Sequence, residues 1–280
     1  VSQPTVQRWD KRVLEEMLPD PDMDGLRQLL VDEKSIWKHH GYITVVMNAE
    51  NGEMLHLAKG KKKKAFELFF EKLTEEQMES IEAVCMDRGG AFQAVAEEKV
   101  PDADVIYDRF HIIKNYLEDV VDEVRRSEVR RSRGPAKQLI KGQRYNLFRN
   151  PGNRSEDQEE ELEELLEANV RLNCVYVLKD VLRRTWAFPY MRSARMFLER
   201  WIRLAKVRKD QIPQLKNFAD SIKRSKDRIL NYFKHRITLG PLEGFNNLIA
   251  RLVHRSCGHT DLRYLFLKLR QSTIDFSLQR

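Results

Sequence analysis

The order of the β-rich and helical segments constrains the fold of this chain most strongly. Three β-rich stretches come first, at residues 26–32, 42–48 and 54–58, and a turn at residues 48–52 joins the last two as a hairpin. Two further short strands end at Asp87 and Asp108, and each follows a helical pattern. A meander followed by strand–helix–strand crossovers predicts an α/β fold with a mixed sheet flanked by helices.

A long helix-only stretch interrupts this alternation. From about residue 118 to about residue 229 no strand pattern occurs, and apolar residues recur at helical spacing. The sequence therefore predicts a large all-helical insertion into the α/β core. We expect four segments: an N-terminal helix in residues 1–25, a first part of the core in 26–117, the insertion in 118–231, and C-terminal helices in 232–280.

Composition excludes several classes of protein. The 280 residues are 41% hydrophobic and 33% charged, and no stretch approaches the ~20 apolar residues of a membrane helix. The three cysteines (Cys85, Cys174 and Cys257) form no C-x-x-C pair, so no structural zinc site is expected, and a reducing cytosol fits them. The net charge of +7 fits a nucleic-acid partner, although it fits many other proteins as well.

Three acidic residues occupy positions that suit a metal site. Asp32 ends the first predicted strand, Asp87 ends the fourth, and Glu243 lies in the first turn of a helix after the insertion. Ligands gather at the carboxyl ends of strands in open α/β sheets, and hard cations such as Mg²⁺ prefer oxygen ligands. Each acid also has an ordinary explanation, as a turn residue, a helix-dipole partner or a surface charge.

The helix that carries Glu243 has two contrasting faces. An apolar face is expected to pack against the core, and a polar face holds Glu243 with Asn247, Ala250 and His254, flanked by Asn246 and Arg251. This polar face suits a nucleic-acid backbone, although a solvated helix face would have the same pattern.

Four segments together resemble a known family. Residues 31–33, 83–87, 107–111 and 238–247 are similar, in order and spacing, to the DDE transposases of bacterial insertion sequences, specifically the ISL-three family. The resemblance implies a ribonuclease H-like fold, with an all-helical insertion before the last acid. It implies cleavage of transposon-end DNA and strand transfer into target DNA. Asp32, Asp87 and Glu243 would then be the catalytic residues that hold two Mg²⁺ or Mn²⁺ ions.

The resemblance extends to supporting residues and partners. Asp108 and His111 match a D-x-x-H element found near the site in several transposase groups, and Asn246 and Asn247 are predicted to support the site. Double-stranded transposon-end and target DNA would be the partners of a homodimer or larger assembly, in the bacterial cytoplasm at the nucleoid and without a membrane. Predicted DNA-contacting residues are Arg88, Arg125, Arg126, Arg130, Arg131, Arg251 and Arg255.

Some features depart from the family pattern or have a second interpretation. Leu239 stands where Asn is usual, and Ala250 stands near a usual basic position. Upstream zinc-binding and helix-turn-helix segments are expected in the family, and the helix near residues 5–17 resembles the last helix of such a reader. The lysines at 61–64 could bind phosphate, although such a run is more often only solvated surface.

Two alternative functions remain at this point. A ribonuclease H-like nuclease would share the acids but cut DNA without joining it, and a non-catalytic DNA-binding protein could descend from a transposase. The long insertion argues against a small hydrolase, and the three intact acids favour activity.

Overall fold

The chain forms two compact units. The computed structural model describes residues 3–37, 41–207, 211–255 and 261–277. The first unit is built from Val1–Asp108 and His235–Arg280, and the second from Arg109–Lys234. The division into four segments expected from the sequence stays a prediction. Among the described residues, no helix is long and apolar enough to cross a membrane.

The described part of the first unit contains a five-stranded mixed sheet. The strands are β1 (Gln28–Trp37), β2 (Gly41–Asn48), β3 (Met54–Lys59), β4 (Ala83–Met86) and β5 (Asp104–Tyr107). Their order in the sheet is β3-β2-β1-β4-β5. Neighbours β1–β2 and β2–β3 are antiparallel, whereas β1–β4 and β4–β5 are parallel. This is the predicted meander followed by crossovers, in a ribonuclease H-like arrangement, so the predicted α/β fold is confirmed.

Helices account for most of the remaining described residues. Those between residues 109 and 234 are helical or irregular and contain no strand, as the sequence predicts. A π-helical turn covers Leu117–Asp122, and 3-10 turns cover Pro151–Asn153 and Arg184–Ala187. The helices are α1 (Gln3–Met17), α2 (Lys63–Phe70), α3 (Glu75–Glu79), α4 (Gly90–Lys99), α5 (Arg109–Tyr116), α6 (Glu123–Arg131), α7 (Gly134–Lys141), α8 (Arg144–Phe148), α9 (Glu156–Ala168), α10 (Val170–Arg183), α11 (Met191–Val207), α12 (Pro213–Arg224), α13 (Lys226–Leu230), α14 (Tyr232–His235), α15 (Gly240–Arg255) and α16 (Leu262–Ser277).

The central strands are apolar because helices cover the sheet. Every residue of β4 is buried, as expected for a parallel strand with both faces covered. Helix α2 contacts β2, β3 and α4, whereas α15 contacts β1 and α16 contacts β3. The Phe66 ring lies edge-on to Phe70 at 4.9 Å and to Phe92 at 5.6 Å between ring centroids. This aromatic cluster joins α2 to α4.

Strand β1 differs from its prediction. The sequence places its end at Asp32, but β1 continues to Trp37. The continuation forms because β2 pairs with β1 beyond Asp32, from Asp32 opposite Val45 to Trp37 opposite Gly41. The parallel pairing with β4 ends where Val31 lies opposite Met86. Asp32 is therefore an internal residue of β1 that directly follows the last parallel pair.

Aromatic residues organise the core of the second unit. Tyr116 and Trp201 are fully buried. The Tyr116 hydroxyl donates to the Val175 carbonyl oxygen and the Trp201 indole N–H donates to that of Leu178, each at 2.8 Å. These contacts place each ring in the apolar interior while its polar atom keeps a hydrogen bond.

The second unit contains a buried lysine whose desolvated charge opposes folding. Lys179 is fully buried, and its ammonium lies 3.7 Å from the centroid of the Tyr176 ring and 3.7 Å from an Asp180 carboxylate oxygen. Burial lowers the pKa of Lys179 from 10.5 to about 8, and the attraction of Asp180 offsets only part of this shift. A shift of this size corresponds to roughly 3 kcal/mol against the charged folded form.

We predict that Lys179→Met raises the free energy of unfolding at pH 7 by about 1–3 kcal/mol, since it removes a desolvated charge. From about pH 8 to 10.5 the unfolded lysine keeps a proton that the folded one loses, so wild-type stability rises with pH there. Urea denaturation at pH 7 and pH 10 measures both effects. In Lys179→Met the part of the increase in stability between pH 7 and pH 10 that comes from Lys179 should be absent. In the exposed Lys223→Met, both the stability and its pH dependence should stay near those of wild type. Equal pH dependence in wild type and Lys179→Met would contradict the prediction.

Candidate active site

Three aspartates follow one row of the sheet at its carboxyl edge. Val31 of β1 lies opposite Met86 of β4, and Met86 lies opposite Tyr107 of β5. The next residue in each strand direction is acidic: Asp32, Asp87 and Asp108. Because the three strands are parallel, these residues come to the same edge of the sheet. The register thus places Asp32 and Asp87 at neighbouring positions, as the sequence pattern suggests.

Asp32 is held on both carboxylate oxygens. Its side chain is buried, with 9% exposed. One oxygen accepts the backbone N–H of Glu33 at 2.8 Å, and the other accepts the Asn246 amide Nδ2–H at 2.8 Å. The contact with Asn246 links β1 to α15, although the two residues lie 214 positions apart. This hydrogen bond fixes the direction in which the Asp32 carboxylate points.

Asn246 has an unused acceptor beside Asp32. The side chain is 7% exposed, and its Oδ1 is buried and has no hydrogen-bond partner among the described residues. A buried acceptor without a partner costs about 1–3 kcal/mol. Such a cost is relieved when a water molecule or another donor reaches the atom. The helical pattern puts Asn246 beside the polar face of α15, and the sequence predicts that it supports the site; in the structure its side chain faces Asp32.

Glu243 lies on α15, three residues before Asn246. Side chains at this spacing lie on one side of a helix, one turn apart. The Glu243 side chain is half-buried, and its backbone N–H donates to the Leu239 carbonyl oxygen at 2.9 Å. Within the described ranges, no three His, Cys, Asp or Glu side chains are already grouped to hold a metal ion. The sheet register makes Asp32 and Asp87 neighbours at one edge, and Glu243 lies one helical turn before the residue that contacts Asp32.

Asp87 begins a tight turn into α4. Its carboxylate accepts the Arg88 backbone N–H, and its carbonyl oxygen accepts the Gly89 N–H at 2.9 Å. The side chain is half-buried. Gly89 and Gly90 are exposed and no atom outside the neighbouring residues lies within 4 Å of a Cβ built on either. The turn therefore leaves open space beside the Asp87 backbone.

Asp108 holds the start of α15. It is 3% exposed. Its carboxylate accepts the Leu239 backbone N–H at 3.0 Å, and its own N–H donates to the Met86 carbonyl oxygen at 3.0 Å. Leu239 directly precedes α15, so Asp108 ties the start of this helix to β5. The sequence marks Asp108 as part of D-x-x-H, but nothing in the motif indicates Leu239 as its partner.

A second hydrogen bond holds the same returning segment. The His235 ring Nε2 lies 2.9 Å from an Asp104 carboxylate oxygen. Asp104 begins β5 and Asp108 follows it, so both ends of this strand contact the chain between residues 235 and 239. Sequence reasoning missed this pair, since neither residue belongs to a motif.

The charges at the carboxyl edge influence one another. Partial burial raises the pKa of Glu33, and the negative charges of Asp32 and Asp87 raise it further, whereas Lys61 lowers it. Burial also raises the pKa of the Cys85 thiol, and Asp108 adds to the effect. Cys85 therefore stays protonated at neutral pH and is unsuited to act as a thiolate nucleophile.

The other predicted site residues have varied environments. His111 lies on α5 in the second unit, half-buried, with its ring edge-on to Phe110 at 5.6 Å between centroids. Its role at the site stays a prediction. Asn247 and Arg251 are exposed on α15. The side chain of Arg255 lies outside the described residues. Arg88 is half-buried.

The arginines predicted on α6 fall into two groups. Arg125 is buried, and its guanidinium donates to Asp122 at 2.8 Å and to the Lys141 carbonyl oxygen at 3.2 Å. This interior placement does not favour the predicted DNA contact of Arg125, because the guanidinium already joins α6 to α7. In contrast, Arg126, Arg130 and Arg131 are exposed.

Comparisons with known proteins agree with this architecture. A family model described as "Transposase", of the ISL-three type, matches residues 29–269. The chain is 34% identical over 269 residues to the transposase for insertion sequence element IS1001 of Bordetella parapertussis. It is 30% identical over 256 residues to the transposase for insertion sequence element IS1557 of Mycobacterium tuberculosis.

These matches cover most of the chain but only part of each relative. They include 95% and 84% of this chain, against 66% and 57% of the lengths of the two relatives. The family match begins within β1 and ends within α16, so it includes the carboxyl edge with Asp32 and Asp87 as well as α15 with Glu243. The chain belongs to the ISL-three family of insertion-sequence transposases.

Proposed function

We propose that this chain is a transposase catalytic core that cleaves transposon ends and transfers the resulting strands into target DNA. One observation carries the proposal: the hydrogen bond from Asn246 to Asp32. It joins α15, which carries Glu243, to the sheet edge where Asp32 and Asp87 are neighbours. A DDE active site needs this combination of two acids at one edge of a sheet and one acid from a covering helix.

The donor atoms at this edge suit Mg²⁺ or Mn²⁺. Asp32, Asp87 and Glu243 offer only oxygen ligands, which hard divalent cations prefer, and the unpartnered Oδ1 of Asn246 is a further oxygen nearby. Mg²⁺ in phosphoryl-transfer sites commonly takes one or two protein carboxylates and completes its shell with water and substrate phosphate. Two ions, when bound, supply charge stabilisation for the attacking and leaving oxygens of a phosphodiester.

Each protein group has a separate part in this proposal. Asp32 presents a carboxylate whose direction Asn246 fixes, and Asp87 presents a second from the turn before α4. Asp108 holds the start of α15 through the Leu239 amide and so helps to position Glu243, in the first turn of this helix, relative to the sheet edge. Positioning of this kind is effective because the ligands need no reorganisation when substrate binds.

The DNA partners follow from the proposed reaction. Transposon-end and target duplexes would both contact the protein, and the exposed Arg126, Arg130, Arg131 and Arg251 are candidates for phosphate contacts. Assembly of two copies or more on paired ends, and action at the nucleoid of a bacterial cytoplasm, belong to the same proposal. Arg88, His111, Asn247 and Arg255 keep their predicted roles in it.

The direct test is a strand-transfer assay. We expect the full chain to join a precleaved transposon-end oligonucleotide to supercoiled plasmid in Mg²⁺ or Mn²⁺. Asp87→Asn should abolish joining, because the amide loses the negative charge that holds the cation. Exposed Asp102→Asn, at the opposite edge of the sheet, is the matched control and should join like wild type. Joined products are resolved on agarose gels.

Two outcomes of this assay favour other functions. Metal-dependent nicking without joined products would indicate a nuclease. DNA binding without metal-dependent chemistry, in a folded protein, would indicate a binding protein that descends from a transposase.

Asn246→Leu is expected to weaken metal-dependent nicking by about 10–100-fold, the usual effect of losing a group that orients a metal ligand. The Mn²⁺ concentration for half-maximal nicking should rise as well. Leucine leaves the buried Asp32 oxygen without its donor, which costs about 1–3 kcal/mol, but it also removes the unpartnered Oδ1, which offsets part of this cost. Exposed Asn217→Ala, on α12 of the second unit, is the control and should nick like wild type. An unchanged Mn²⁺ requirement in Asn246→Leu would rule out this positioning role.

Substitutions of Asp108 separate a positioning role from an ionic one. Asp108→Ala leaves the Leu239 N–H without its acceptor and should cost about 1–3 kcal/mol of stability, with a parallel loss of nicking. Asp108→Asn keeps an acceptor oxygen and should retain most activity and stability. Thermal unfolding and nicking rates measure the two effects. An inactive but stable Asp108→Asn protein would instead show that the carboxylate charge takes part in the chemistry.

A further inference from the structure

Strands β1, β2 and β3 project beyond the carboxyl ends of β4 and β5. The parallel pairing stops where Val31 lies opposite Met86, whereas β1 continues to Trp37, a distance of roughly 20 Å at ~3.3 Å per residue. Lys34 and Lys59 both lie opposite Ile43 on this projection. Because β3 runs in the same direction as β1, the loop after β3 lies at the same edge as Asp32.

Four lysines lie on or directly after the strands of this projection. Lys59, Lys62 and Lys63 are exposed and Lys34 is half-exposed. Their side chains form no hydrogen bond or ion pair with another described residue. We call Lys34, Lys59, Lys62 and Lys63 the lysine edge. Lys62 and Lys63 are adjacent, and Lys34 and Lys59 flank Ile43. Like charges at such positions repel one another, and an anionic partner relieves this repulsion.

The loop that carries Lys62 and Lys63 has a defined conformation. Gly60 has φ +108°, which side-chain-bearing residues rarely adopt. Its N–H donates to the Tyr42 carbonyl oxygen at 2.7 Å, and its own carbonyl oxygen accepts the Thr44 hydroxyl at 2.9 Å. The Lys61 ammonium lies 4.1 Å from the centroid of the Tyr42 ring. Strand β2 thus holds the loop in place and fixes where the lysines begin.

The neighbouring lysines show what the lysine edge lacks. Lys64 forms an ion pair with Glu71 at 2.5 Å, whereas Lys61 lies over the Tyr42 ring. Lys34 lies two residues after Asp32 on β1, on the same face of the strand, so the lysine edge begins beside the carboxylates. The first turn of α2 also has no side-chain cap at Lys62, which leaves its amide dipoles favourable to an anion.

We propose that the lysine edge binds the phosphate backbone of double-stranded DNA, irrespective of base sequence, and leads it to the carboxylates. Flexible lysines act as point charges toward phosphate, and phosphate contacts position a duplex without reading its sequence. The identity of the partner rests on the proposed function, whereas the binding surface does not depend on metal or on catalysis. The β1–β3 projection is thus a DNA-guiding element of this core.

The test is the salt dependence of DNA binding. Fluorescence anisotropy with a labelled random-sequence duplex, in EDTA and from 50 to 200 mM KCl, compares wild type with Lys62→Gln/Lys63→Gln. Losing two phosphate contacts should lower the slope of log K against log [KCl] by about 2. Between 50 and 200 mM KCl, the factor by which affinity falls should therefore be about ten times smaller for the variant than for wild type. Lys62→Arg/Lys63→Arg should restore the wild-type slope.

A matched control removes two charges elsewhere. Arg27 and Lys99 are exposed at the opposite edge of the sheet, and Arg27→Gln/Lys99→Gln should keep the wild-type slope. Equal slopes in wild type and Lys62→Gln/Lys63→Gln would overturn the proposal, and so would an equal decrease in slope in both double variants. A decrease in slope that occurs with only one particular duplex sequence would also overturn it. Because the assay contains no metal, inactivity in strand transfer leaves this result unaffected.

Discussion

The parallel register of β1, β4 and β5 is the constraint on which the proposed site depends. With Val31, Met86 and Tyr107 in one row, the next residues are Asp32, Asp87 and Asp108. A shift of one residue would turn every side chain of a strand to the other face of the sheet. The apolar residues of β4, buried along the whole strand, oppose such a shift because it would change which of them face each layer of helices. Core packing therefore also positions the acids.

Two polar contacts then fix α15 against this edge. Asn246 reaches Asp32, and Asp108 reaches the Leu239 amide at the start of the helix. Both contacts are buried and join distant parts of the sequence, so they form only when the chain returns correctly after residue 234. A buried polar contact adds little net stability, but losing one partner costs more, which makes each contact specific to one arrangement. The arrangement also has a free-energy cost, because the buried Oδ1 of Asn246 accepts no hydrogen bond from the described residues.

The sequence predicts the sheet and its acids well because hydrophobic patterning and strand order are local or nearly local signals. It places Asp87 and Asp108 correctly at strand ends, but it ends β1 too early. The residues after Asp32 are polar enough to suggest a turn, and only pairing with β2 keeps them extended. The hydrogen bond from Asn246 to Asp32 is also beyond the helical pattern, since the pattern places Asn246 only beside the polar face of α15 and indicates no partner for it. Likewise Arg125 looks like a surface cation until Asp122 and the Lys141 carbonyl are placed beside it.

In the proposed function, Asp32, Asp87 and Glu243 hold divalent cations together. The most direct measurement is a crystal structure of the protein with transposon-end DNA and Mn²⁺, in which anomalous scattering locates the ions. We expect Mn²⁺ within ~2.2 Å of oxygens from Asp32 and Asp87, with Glu243 completing the site. Absence of Mn²⁺ from Asp32 and Asp87, or Mn²⁺ there with Glu243 directed away from it, would contradict this function of the three acids.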